Sequence, residues 1–108
     1  MANAKIVNTP SQAIPQSGAP HTQVTVGSTA GALIGTLTLH AYTTHVLIQF
    51  TGANTRVTFD GTNPTTSKGF VYSDGSTAYL TRSMASAAKA IRDDSTDVVV
   101  EIQELNFL

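Results

Sequence analysis

The stretch "VTFDGTNPTTSKGFVY", Val57 to Tyr72, decides how the chain is read. A run with strand character enters it, Val57–Phe59, and another leaves it, Phe70–Tyr72, with a polar segment from Asp60 to Gly69 between them. Asp60-Gly61 is a turn signal, because Asp can accept a hydrogen bond from its own backbone two residues on and Gly can take positive φ. Asn63-Pro64 is a second one. The phosphate-loop order of Gly, four residues, Gly, Lys and Ser or Thr is missing, and Lys68 before Gly69 runs the wrong way. The segment therefore reads as a broad β-loop in which Gly61 and Gly69 permit sharp changes of direction.

Working outward, the pattern from Gln23 onward has period two. "TLTLHAY" places Leu37, Leu39 and Ala41 on one face of a predicted strand, and "HVLIQFT" does the same with Val46, Ile48 and Phe50. Gly52, Ala53 and Asn54 read as a tight hairpin into "NTRVTFD", whose Val57 and Phe59 point inward. "GFVYSDGSTAYLTR" adds two short strands around Ser73-Asp74-Gly75-Ser76, and "DVVVEIQEL" closes the pattern with Val98, Val100 and Ile102 inward. One segment departs from it. In "SMASAAKAIRDD", Ser83 can cap and Met84, Ala87, Ala88 and Ile91 form an i, i+3, i+4, i+7 stripe, which predicts a helix from Ser83 to about Arg92 packed on the sheet. The expected fold is all-β: a small antiparallel sandwich or barrel-like domain over residues 23–108 with one short helix.

Residues 1–22 form a separate zone. It carries Pro10, Pro15 and Pro20, and each proline fixes φ and pushes its predecessor toward extended geometry. An extended, nearly uncharged arm with apolar Ile6, Val7 and Ile14 suits docking along another subunit by strand addition.

Composition bounds the function classes. The chain has 108 residues, enough for one domain with one small core. Charged residues are 12% and hydrophobic ones 41%, with a formal net charge of -1. An average soluble domain is about 25% charged, so so little charge points to a surface covered in part by partners. There is no Cys, hence no disulfide, thiolate metal site or thiol nucleophile. No secretory h-region or membrane-length apolar run occurs, so the chain is expected in the cytoplasm when made and not in a membrane. Lys and Arg number 6 against 7 acids and form no basic patch, which argues against nucleic acid as partner.

Candidate sites are few. His40 and His45 lack a recognised ligand spacing, and "RDDSTD" at 92–97 lacks the glycine and the final bidentate acid of a calcium loop, so no metal is expected. No Gly-x-Ser-x-Gly elbow occurs, and the acids cluster near one loop and the last strand, so neither a catalytic residue nor a cofactor is expected.

The strand ending in Asp60-Gly61-Thr62-x-Pro64-Thr65, the Gly69-led strand after it, and the turn, helix and closing strand that follow resemble the small structural proteins of tailed bacteriophage virions. The resemblance spans about residues 44–105. It implies a non-enzymatic virion component, made in the host cytoplasm: a capsid decoration or cement protein on the major capsid protein shell, present in many copies or as a homo-oligomer. A neck or tail piece is the alternative within that family, with Asp60, Gly61, Thr62, Pro64, Thr65 and Gly69 in structural roles only. A host-attachment module binding carbohydrate is the alternative from another class, although the chain has no Trp and only Tyr42, Tyr72 and Tyr79 to stack on sugar. In either virion role the arm residues Ile6, Val7, Pro10, Ile14, Pro15 and Pro20 would meet the partner.

Overall fold

The computed structural model describes residues 13–107, so Ile6, Val7 and Pro10 of the expected arm lie outside the described residues. The elements are β1 (Ala13–Pro15), β2 (Thr22–Val26), β3 (Gly31–Ala32), β4 (His45–Thr51), β5 (Thr55–Thr58), β6 (Phe70–Tyr72), β7 (Thr77–Thr81), α1 (Arg82–Ala87), β8 (Lys89–Arg92) and β9 (Val98–Phe107). They build two antiparallel sheets. One runs β1-β9-β4-β7 with β2 also on β9, and the other runs β3-β8-β5-β6.

β1 and β2 share one edge of β9, Ala13 opposite Phe107 and Val26 opposite Val98. They behave as a single edge strand interrupted at 16–21, where Gly18 takes φ 80° and Pro20 cannot donate to the ladder. Counted this way, each sheet has four positions, and the chain passes from one sheet to the other at every step except β5 to β6. That alternation in two antiparallel sheets is the jelly-roll topology.

Between the sheets lie Val46, Ile48, Phe50, Val57, Val98, Val100 and Ile102, none more than 1% exposed. These are the positions that the period-two reading turned inward. Each fully buried side chain of this size contributes about 1.5–3 kcal/mol. Phe50 also stacks on Tyr72 from the opposite sheet, with ring centroids 4.7 Å apart.

Three expectations are corrected. The turn at Gly52–Asn54 is no hairpin: β4 and β5 lie in different sheets, and Gly52, at φ 105°, starts a crossover. A second such crossover is the 73–76 turn, which has the two expected short strands, β6 and β7, on either side of it but in different sheets. Residues 36–42 are not a strand. Leu39 is buried and Leu37 packs on the core, but Ala41 is exposed, because this segment crosses the end of the sandwich and finds its hydrogen bonds in local turns and in the Glu104 and Arg82 side chains rather than in a ladder. Finally, the helix stops at Ala87. Thr81, not Ser83, is the N-cap, accepting from the Met84 N–H at 3.2 Å, and Ala88 is already extended at φ -67°, ψ 137°. Ala85 is buried while Met84 is 40% exposed, and Ile91 lies on β8 between β3 and β5. Strand pairing of 89–92 with β5, and of 89–90 also with β3, outweighs the alanine preference for helix, which is weak over so few residues.

The boundary expected between residues 22 and 23 also moves. Residues 13–15, Ile14 and Pro15 among them, pair with the chain's own last strand, so among the described residues the folded domain already includes Ala13.

Candidate interaction surface

The opening loop is the connection within the one consecutive pair of strands, among the described residues, that pair with each other: β5 and β6, with Thr55 opposite Tyr72 and Val57 opposite Phe70. Its polar groups are turned on themselves. Asp60 Oδ1 accepts from the Thr62 N–H at 3.1 Å and from the Thr62 hydroxyl at 2.6 Å, and these bonds hold the Asp60 carboxyl below its ordinary pKa. Thr65 and Lys68 exchange backbone hydrogen bonds across a tight turn, and Pro64 is buried. Gly61 sits at φ 85° and Gly69 at φ 126°, where a Cβ would come within 3.2 Å of the Val57 backbone. Thr58 donates from its hydroxyl to the Thr62 carbonyl. This is a structural loop, with Asp60, Gly61, Thr62, Pro64, Thr65 and Gly69 all engaged in its shape.

What the hairpin leaves open is apolar. Phe70 is 67% exposed, Val71 50%, and the Phe70 ring tilts against Phe59 at 6.0 Å. Phe59 and Phe70, with Val57, Thr58, Asp60, Lys68 and Gly69, line an open groove of about 480 Å³, and Val71 lies on the other face of β6. β6 is an edge strand, and β7, the edge of the other sheet, has the uncharged sequence TAYLT with Tyr79 45% exposed. Exposed edges invite pairing with other chains unless charge, proline or shortness blunts them. On the opposite side of the sandwich they are blunted: β1 and β2 are broken by Gly18 and Pro20 and carry Pro15, and β3 is only two residues long. On the β6/β7 side β6 is also short, at three residues, but no Lys, Glu or Pro falls within either strand.

A buried polar network, not foreseen in the sequence, braces the end of the sandwich where the hairpin lies. Glu104 faces inward on β9 at 2% exposure. It accepts from the Thr43 hydroxyl at 2.6 Å and from the His40 N–H at 2.7 Å, and the His40 ring stands 3.4 Å away. Arg82, the first residue of α1, donates to the carbonyls of Leu39, His40 and Thr43. An anion and a cation thus serve opposite poles of one loop. The signal in the sequence is the break in alternation at Glu104, two positions beyond inward Ile102. His45 lies on β4 with its Nδ1 3.0 Å from the Thr44 hydroxyl. Among the described residues no three His, Asp or Glu side chains group as a metal site would require.

The outer face of the β9 sheet holds a second, smaller depression of about 180 Å³ between His21, Leu47, Gln49, Thr77, Glu101 and Gln103. His21 and Gln23 both contact the Glu101 carboxylate, at 2.6 and 2.8 Å, and hold its pKa below the ordinary value.

Comparison of the chain with protein-family models, curated proteins and solved structures found no match.

Proposed function

We propose that this chain is a non-enzymatic building block of a tailed-phage virion, a decoration or cement protein that binds the major capsid protein shell in many copies. The observation that carries the reading is the asymmetry of the sandwich edges: one side is blunted, and the other offers uncharged edge strands beside an apolar groove. A free monomer gains nothing from such a side, whereas a subunit placed among neighbours buries it, and repetition over many sites turns weak contacts into firm attachment. The jelly roll supports the reading as an architecture used by viral shells, and equally by lectins, so the edges and not the fold bear the weight.

The test is occupancy on purified particles that lack the native copy. Intact protein should decorate them, and protein carrying Phe70→Ser with Val71→Lys should not, while keeping its β-sheet spectrum. Failure of the intact protein to bind overturns the proposal. A second reading, a carbohydrate-binding attachment module, draws on the Glu101, Gln49 and Gln103 depression. Glycan-array binding lost on Gln49→Ala would favour it.

A further inference from the structure

We infer that the apolar groove between Phe59 and Phe70 receives the N-terminal segment of a second copy of this chain, with Ile6 and Val7 as the inserted side chains. The inference rests on the assembly reading only in requiring that copies meet. Strand direction sets the geometry. Thr51 pairs with Val99 and is followed by Thr55, so β5 runs away from that end of the sandwich and its hairpin loop lies at the other. β9 runs the same way to Phe107, and Ala13 pairs with Phe107. β1 therefore begins, at Ala13, at the end that carries the hairpin groove.

A segment preceding Ala13 starts from the wrong edge to fill its own groove. β1 and β6 lie on opposite sides of the sandwich, in different sheets. Crossing the end means passing about 14 Å over three strand spacings and about 10 Å between sheets, around α1 and the loop held by Arg82 and Glu104. The straight line between the two edges is about 17 Å, and the six residues from Val7 to Ala13 reach only about 20 Å fully extended, which leaves no slack for that detour. A neighbour's groove imposes no such detour.

The chemistry matches the occupant. Ile6 and Val7 are the large aliphatic side chains nearest the start of the sequence, and the groove offers aromatic walls. Lys5, beside them, is the one charged side chain before Arg56, and Asp60 lines the groove. An extended segment can also pair with the open edge of β6, adding backbone hydrogen bonds to the side-chain contacts.

The absence of Cys makes the test clean. Full-length Val7→Cys protein is mixed with full-length Lys68→Cys protein at high concentration under mild oxidation. A disulfide-linked heterodimer should accumulate faster than in a control mixture of Val7→Cys with Ser28→Cys, whose thiol lies in the loop at the opposite end of the sandwich. Adding Phe70→Ser to the Lys68→Cys partner should abolish the preference. Equal rates in the two mixtures would overturn the inference. So would a Val7→Cys, Lys68→Cys double variant that closes into a linked monomer rather than linked oligomers. Because no particle is involved, a negative result here leaves the particle-occupancy test of the assembly reading standing by itself.

Discussion

The Thr43 hydroxyl donates to the Glu104 carboxylate across 2.6 Å, tying the loop that crosses the end of the sandwich to an inward position of its longest strand. Burial alone would raise the Glu104 pKa, but the Thr43 and His40 hydrogen bonds outweigh it and hold the carboxyl below its ordinary value of 4.5. A carboxyl whose folded pKa is depressed stabilises the fold above its unfolded pKa, and that contribution drains away as pH falls through the folded value. Glu104→Gln should therefore cost about 2 kcal/mol near neutral pH, where the charged acceptor is lost. It should also make stability less dependent on pH below 4.5. Urea denaturation at several pH values checks both.

Gly69 and Gly61 separate backbone strain from collision. Both have positive φ, but a Cβ at Gly61 meets open space, whereas at Gly69 it meets the Val57 N and O at 3.2 Å. Gly61→Ala should cost about 1 kcal/mol, and Gly69→Ala clearly more, because the neighbouring atoms are backbone and cannot swing aside. Melting temperatures of the two variants, measured side by side, decide the order.

The short helix offers a direct check on which of its faces is inside. Ala85 is fully buried and Met84 is not, although the stripe read from spacing put Met84 inside together with Ala88, which is buried. Ala85→Leu should overpack the core and cost about 1–3 kcal/mol, while Met84→Ala should stay within about 0.5 kcal/mol of the parent. Chemical denaturation of both variants would reveal a reversed ranking at once.

Phe70 and Val71 stand out as exposed apolar side chains on an edge strand. Replacing them with Ser and Lys should leave the melting temperature nearly unchanged and reduce self-association at high concentration. Sedimentation velocity across a concentration series measures the second effect, and circular dichroism the first.

The inward faces of β4, β5 and β9 were legible because a half-buried strand imprints its alternation on the sequence. The partners of those strands were not. Val46, Ile48 and Phe50 alternate in the same way whether the next strand pairs beside them or crosses to the facing sheet, so Gly52–Asn54 read as a hairpin when it is a crossover. Alternation also misled at Leu37, Leu39 and Ala41, since a loop laid over the core end can bury every second side chain if something else satisfies its backbone. Here that is Arg82 and Glu104, whose meeting spans distances in sequence that no local pattern reports. The loop at Asp60–Gly69 was legible in its chemistry because Asp and Gly act within two residues of themselves. The apolar groove beside it was not, since Phe59 and Phe70 look like ordinary core residues until the opposing sheet is seen not to cover them.

The broken edge strand along β9 has a mechanical consequence. If a neighbour holds the segment before Ala13, any tug on it is delivered first to β1, whose three pairs with β9 run antiparallel to that strand. Tension along the strand axis loads those pairs together in shear, whereas a sideways pull opens them one after another from Ala13. Residues 16–21 then act as slack: β1 can detach and lengthen the tether while β2 keeps its own grip on Val98–Ile102. A chain held in that way yields at its margin before its core feels the load.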